Sequence, residues 1–141
     1  MKSKWIVKEW KTKKGLLAVV MKTPMGHLCG YIVIPKTNPL YGKSYMEHLE
    51  CLVPLYIKAK KGKIGKRGII PVFFNNGETA SMDVVFNVHG GVTWADNHSE
   101  YGNKYLIGFD TAHAGDNPSI CDLDYCVKEC ENLASQIRQV K

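Results

Sequence analysis

Residues 84–116 read VVFNVHGGVTWADNHSEYGNKYLIGFDTAHAGD, and this stretch decides the fold. Two apolar runs, ending at Val88 and Phe109, each lead into polar, glycine-bearing sequence. The first meets His89-Gly90-Gly91; the second meets Asp110-Thr111-Ala112-His113-Ala114-Gly115-Asp116. Residues 95–104 between them are polar and turn-forming, which predicts a long antiparallel hairpin with its loop near Ser99. In that register His89 faces Phe109 or Asp110, and His113 faces Val85 or its neighbour. Imidazoles, carboxylates and glycines then gather on one pair of strands, the best site candidate in the chain.

Outward from this hairpin, the pattern stays β-rich until the last helix. Residues 5–10 and 16–21 are apolar runs separated by a lysine-rich turn ending at Gly15, and residues 27–34 form a third strand stopped by Pro35. Residues 69–74 and 82–88 flank Asn75-Asn76-Gly77, a tight-turn signal that predicts another strand pair. After Pro118, Ser119 and Asp122 set an S-x-x-D helix start. Leu123, Cys126, Val127, Cys130, Leu133, Ala134, Ile137 and Val140 then recur at helical spacing, predicting an amphipathic helix over 122–139. The expected fold is α+β: an antiparallel sheet or meander of six or seven strands, packed by one C-terminal helix in a single domain over 1–141.

Composition bounds the function. No apolar run approaches the roughly 20 residues of a membrane span, and the basic N-terminus lacks the apolar core of a signal peptide. The expectation is a cytoplasmic protein without membrane contact. Five cysteines at wide spacings suit reduced thiols, with Cys126 and Cys130 on the buried stripe of the helix. Charge is uneven: fifteen Lys/Arg against three Glu up to Arg67, then four against ten acids. The basic half attracts a phosphate-bearing partner or the acidic half of a second copy, which makes a homo-oligomer an expectation too. Residues 58–67, KAKKGKIGKR, carry six of these positive charges. No aromatic residue interleaves for base stacking, so a solvated hairpin tip is expected there and nucleic acid is not the expected partner.

Several side chains carry chemistry. Tyr41, Lys43 and Tyr45 lie on a proline-fixed loop, able to stack on a ring or meet a phosphate, or else simply to cap the core. A short helix is expected over 44–52, with His48 and Cys51 on one face. Gly90 and Gly91 free the backbone to approach a ligand, and their N–H groups form an anion nest. Thr93 follows on the same segment. Asp110, His113 and Asp116 place carboxylates on either side of an imidazole, so structural, ligand-binding and catalytic roles all stay open. The same set could take a divalent ion, yet no histidine or cysteine spacing closes a zinc set, and neither a metal nor a cofactor is expected.

Four blocks also carry a resemblance: Gly26-His27-Leu28-Cys29-Gly30-Tyr31; Asn38-Pro39-Leu40-Tyr41-Gly42-Lys43 with Tyr45; Val88-His89-Gly90-Gly91-Val92-Thr93; and Gly108 to Asp116. In this order they resemble a family of small, functionally uncharacterised proteins common in bacteriophages and prophages. The family often has His at position 38 and Cys at position 111, where this chain has Asn38 and Thr111, which argues against a catalytic cysteine there. Its members usually join the second and third blocks by a much shorter connection, so 46–82 is read as an insertion building its own hairpin.

The resemblance implies a phage protein of the host-cell cytoplasm and brings no activity with it. Small phage proteins of this kind act against host defence, some by sequestering nucleotide signals. The expected function is a counter-defence sponge for a phosphate-bearing nucleotide, with His27, Tyr41, Lys43, Tyr45, His89, Gly90, Gly91, Thr93, Asp110, His113 and Asp116 as ligand-binding residues. One alternative is a phosphodiesterase or other hydrolase using His89, Asp110 and His113. Another is an inhibitor that docks on a host defence factor through the basic insertion.

Overall fold

The computed structural model describes residues 3–64, 79–112, 116–117 and 119–141. Five strands form one sheet: β1 (Ile6–Lys11), β2 (Leu17–Lys22), β3 (Leu28–Val33), β4 (Trp94–His98) and β5 (Lys104–Asp110). Their order is β1-β2-β3-β5-β4, and every pair is antiparallel. The described residues also form three α-helices, α1 (Val53–Ile64), a single turn α2 (Met82–Val85) and α3 (Leu123–Arg138), and short 3-10 turns at Glu50–Leu52 and Ser99–Tyr101. The fold is α+β, with somewhat fewer strands than expected.

The meander forms because turn chemistry and alternation agree. Gly15 takes φ 84° at the β1–β2 turn and Gly26 takes φ 92° at the β2–β3 turn. Such left-handed positions cost glycine nothing. One face of the sheet is covered by α3, whose Cys126, Cys130, Leu133, Ala134 and Ile137 are buried against Ala18, Val20, Ile32, Ile107 and Phe109. Burying a leucine or isoleucine of this set is worth about 1.5–3 kcal/mol. The opposite face holds a smaller cluster, Val19, Met21, Cys29, Tyr31 and Leu106, covered in part by Trp94 and Tyr101. Asp122 caps α3 by accepting from the Tyr125 amide at 3.0 Å. Ser119 instead bonds to Asn117 Oδ1, so the cap is the second residue of the S-x-x-D pair.

Two glycines set how closely the central strands and α3 approach. A Cβ on Gly30 would lie 2.5 Å from Phe109 Cζ and 2.7 Å from Cys130 Sγ. A Cβ on Gly108 would press on the Gly30 carbonyl oxygen and the Tyr31 ring.

The expected central hairpin is corrected in register. Trp94 pairs with Gly108 and His98 with Lys104, so the turn centres near Tyr101, with Gly102 and Asn103 both left-handed. The strand opposite β5 lies after the glycine pair, in sequence read as loop. The expected strand over 82–88 is instead the turn α2 and an extended tail. Met82, Val85 and Phe86 are buried at helical spacing, while Val84 points outward and is 61% exposed. Ser81 begins the turn, its carbonyl accepting from the Val84 and Val85 amides.

The insertion differs as well. A 3-10 turn at Glu50–Leu52 runs into α1, so its described part is helical rather than a hairpin, and residues 58–64 continue a helix. The strand expected over 69–74 lies outside the described residues. Leu49 and Ala80 exchange backbone hydrogen bonds of 2.9 and 3.1 Å, which ties the two ends of the insertion together. No helix among the described residues is long and apolar enough to cross a membrane.

Candidate functional site

Strand alternation divides the expected site residues between two faces. Phe109 turns toward α3, so Asp110 and Cys29, its pairing partner on β3, turn to the other face. His89 lies on the α3 side, bonded to residues of that helix. His89 thus contacts α3, and Asp110 contacts Thr93 and Ala112. His113 lies outside the described residues.

On the face away from α3, Thr93 Oγ1 donates to Asp110 Oδ2 at 3.0 Å, and the Ala112 amide donates to Asp110 Oδ1 at 3.0 Å. These residues border an open depression of about 490 Å³, walled by Cys29, Tyr31, Thr93, Trp94 and Asp110. A second depression of about 480 Å³ lies across the edge strand β4, on the side where Tyr45 and Tyr105 pack with the α3-side core; Thr93 and Trp94 line both. The Trp94 ring packs against His98 at a tilt, 4.8 Å between centroids, and His98 meets Tyr31 edge-on at 5.0 Å. Burial pushes the Cys29 thiol up, aided by the Asp110 carboxylate and opposed by a hydrogen bond from Tyr31. That argues against a thiolate nucleophile in this groove.

A third depression, about 280 Å³, lies across the Thr23–Gly26 turn and is lined by Lys22, His27, Thr111, Cys121 and Asp122. The turn is closed by the Thr23 amide on the His27 carbonyl at 2.8 Å and by the His27 amide on Thr23 Oγ1 at 3.2 Å. Thr111 is buried and donates its hydroxyl to the Leu28 carbonyl at 2.9 Å, a structural role.

On the α3 side, His89 is held at four points. Its Nδ1 lies 2.7 Å from Tyr125 Oη, its Nε2 2.8 Å from Asp116 Oδ1, and Cys121 Sγ is 4.0 Å from the same Nε2. The His89 amide donates to Glu129 Oε1 at 2.8 Å. Gly90 and Gly91, with φ 67° and 80°, turn the chain beside it. The Gly91 amide donates to the Val88 carbonyl at 2.8 Å, so that N–H closes the turn rather than facing a ligand. Carboxylates of Asp116 and Glu129 border the imidazole. An anion placed directly at this glycine turn would meet them unfavourably.

The remaining expected residues sit apart from this cluster. Tyr41 packs on Tyr105 at 5.2 Å between centroids, and Tyr105 donates its hydroxyl to the Lys43 carbonyl. Lys43 Nζ is 4.0 Å from Glu47 Oε2. His48 is exposed in the turn before Glu50. Cys126 and Cys130 are fully buried, and burial, with Cys121 and Cys29 adding, pushes Cys126 up to about 12.

Trp94, Tyr31, Lys22 and Cys121 are among the site residues that sequence patterns missed. Trp94 was hidden at the border of an apparent loop. The one signal for Cys121 was its position directly before the cap of α3. Among known protein families, curated proteins and solved structures, none matches this chain.

Proposed function

We propose that this chain binds a phosphate-bearing nucleotide in the groove along β4 and the end of β5, as a phage counter-defence protein that sequesters it. The observation that carries this is the pair of depressions sharing Thr93 and Trp94. Each has the volume of a small-molecule site, and their walls combine aromatic rings with a few fixed polar groups. Trp94 and Tyr31 offer faces for a base. The Asp110 carboxylate repels phosphate but accepts from ribose hydroxyls, so the sugar belongs beside it and the phosphate farther along. Lys22 and His27 line the depression on the α3 side of the Thr23–Gly26 turn, and a phosphate that reaches around this turn meets them as donors. This moves the anion away from the Gly90-Gly91 turn.

The groove is open and runs along β4, the last strand of the sheet among the described residues. A second copy of the chain closing over that edge would give a sequestering protein its missing wall, which is the reason for including a homo-oligomer in the proposal. The phage setting rests on the four sequence blocks.

Hydrolysis is the second reading, favoured by the His89–Asp116 pair with Cys121 beside it. The wider set of His89, Asp110 and His113 includes His113, which lies outside the described residues. Incubating the purified protein with candidate nucleotides, releasing the ligand by heat and analysing it separates the readings. Captured intact ligand supports sequestration, altered nucleotide in the mixture supports hydrolysis, and a mixture with nothing captured and nothing altered overturns both.

A further inference from the structure

Cys121 and Asp116 both approach the same nitrogen of His89. A nucleophilic cysteine–histidine–aspartate relay needs its thiol and carboxylate on opposite nitrogens, with the ring passing charge between them. Here Nδ1 is occupied by Tyr125 Oη, and the thiol and carboxylate gather at Nε2. One oxygen, one nitrogen and one sulfur thus face a common point, all within 4.8 Å of one another. Cys121 is buried, and the His89 and Asp116 side chains are 17% and 14% exposed.

We infer that His89 Nε2, Asp116 Oδ1 and Cys121 Sγ form a transition-metal site, and that zinc is the ion their chemistry selects. Bonds of about 2.0–2.3 Å put tetrahedral donors roughly 3.3–3.8 Å apart. The His–Asp distance of 2.8 Å must open and the His–Cys distance of 4.0 Å must close, while Asp116 and Cys121, within 4.8 Å of each other, must draw together by up to about 1 Å. A sulfur donor disfavours magnesium and calcium, while the mixed nitrogen, oxygen and sulfur set suits zinc. Binding releases the Cys121 thiol proton to solvent. It also fixes the imidazole proton on Nδ1, which then donates to Tyr125 Oη. The Tyr125 contact and the Glu129 hold on the His89 amide are the outer-shell supports that orient a metal-bound histidine.

The expectation of no metal looked at spacing along the chain, and these three donors come together only through the fold. The site stands without the nucleotide reading. Tetrahedral zinc takes a fourth donor, and in catalytic sites a water or a substrate oxygen supplies it.

The test is a cobalt(II) titration of the full-length protein after chelator treatment, with no nucleotide present. One equivalent should give a thiolate-to-cobalt charge-transfer band that zinc abolishes. Cys121→Ser should lose the band, Cys51→Ala should keep it, and Tyr125→Phe should weaken cobalt binding about 10–100-fold. Circular dichroism on each variant separates loss of the site from loss of the fold. A folded wild-type protein without the band overturns the site, as does a band that survives Cys121→Ser. Either failure leaves nucleotide capture in the β4 groove untouched, and failed capture leaves the metal titration untouched.

Discussion

Thr93 Oγ1 donates to Asp110 Oδ2 at 3.0 Å, joining the residue that leads into β4 to the last residue of β5. The bond fixes one wall of the groove and aims the other carboxylate oxygen at the Ala112 amide. A hydrogen bond to a charged acceptor at a half-buried position is worth about 1–2 kcal/mol. Thr93→Val keeps the shape and removes the donor. Urea unfolding should show a loss of that size, and nucleotide affinity should fall with it; unchanged stability and affinity would mean that the bond does not organise the groove.

The close approach of β3, β5 and α3 depends on two glycines. Gly30→Ala forces its Cβ against the Phe109 ring and Cys130 Sγ, side-chain neighbours that can partly move, and should cost about 1–3 kcal/mol. Gly108→Ala presses on backbone as well, so its loss should be larger. Thermal unfolding of the two variants should rank them in that order, and adding Phe109→Leu should recover part of the loss in Gly30→Ala alone.

His98 makes stability depend on pH. Burial against Trp94 and Tyr31 holds its imidazole below the ordinary value of 6.5, and Glu100 pulls the other way more weakly. The unfolded chain therefore takes up a proton that the folded chain refuses. Stability from this residue is whole above 6.5 and falls as pH drops below it, until the folded state protonates too. His98→Gln should flatten the acid-side slope of the urea midpoint between about pH 7 and 5. Parallel slopes for wild type and variant would contradict this.

Much of the fold was legible because local and global signals agree in it. Gly15 and Gly26 mark their turns, and the stripe from Leu123 to Ile137 marks α3. β4 was not legible: at the sheet edge its Asp96 and Asn97 are solvent-exposed, so the strand lacks apolar alternation and reads as loop. The register of the hairpin then slipped, and the apolar run before His89 took the place of the missing strand. Met82, Val85 and Phe86 fit a helical turn as well as a strand, and only packing decides between them. α1 was masked by its Pro54, Gly62 and lysines, which break any amphipathic pattern. Within the site, the sequence marks His89 and Asp116 as candidates, but their contact spans 27 positions and Cys121 joins from 32 away. No spacing rule reaches that far.

The groove is tested most directly by isothermal titration calorimetry of the intact protein with cyclic and ADP-ribose-type nucleotides at low and raised salt. At least one should bind, more weakly as salt rises, because the phosphate is met by charge. Trp94→Ala should cost about 1–3 kcal/mol of that affinity through lost stacking. Lys22→Ala should weaken binding and reduce its salt dependence. No heat from any nucleotide, or full affinity retained in Trp94→Ala, would contradict nucleotide capture in this groove.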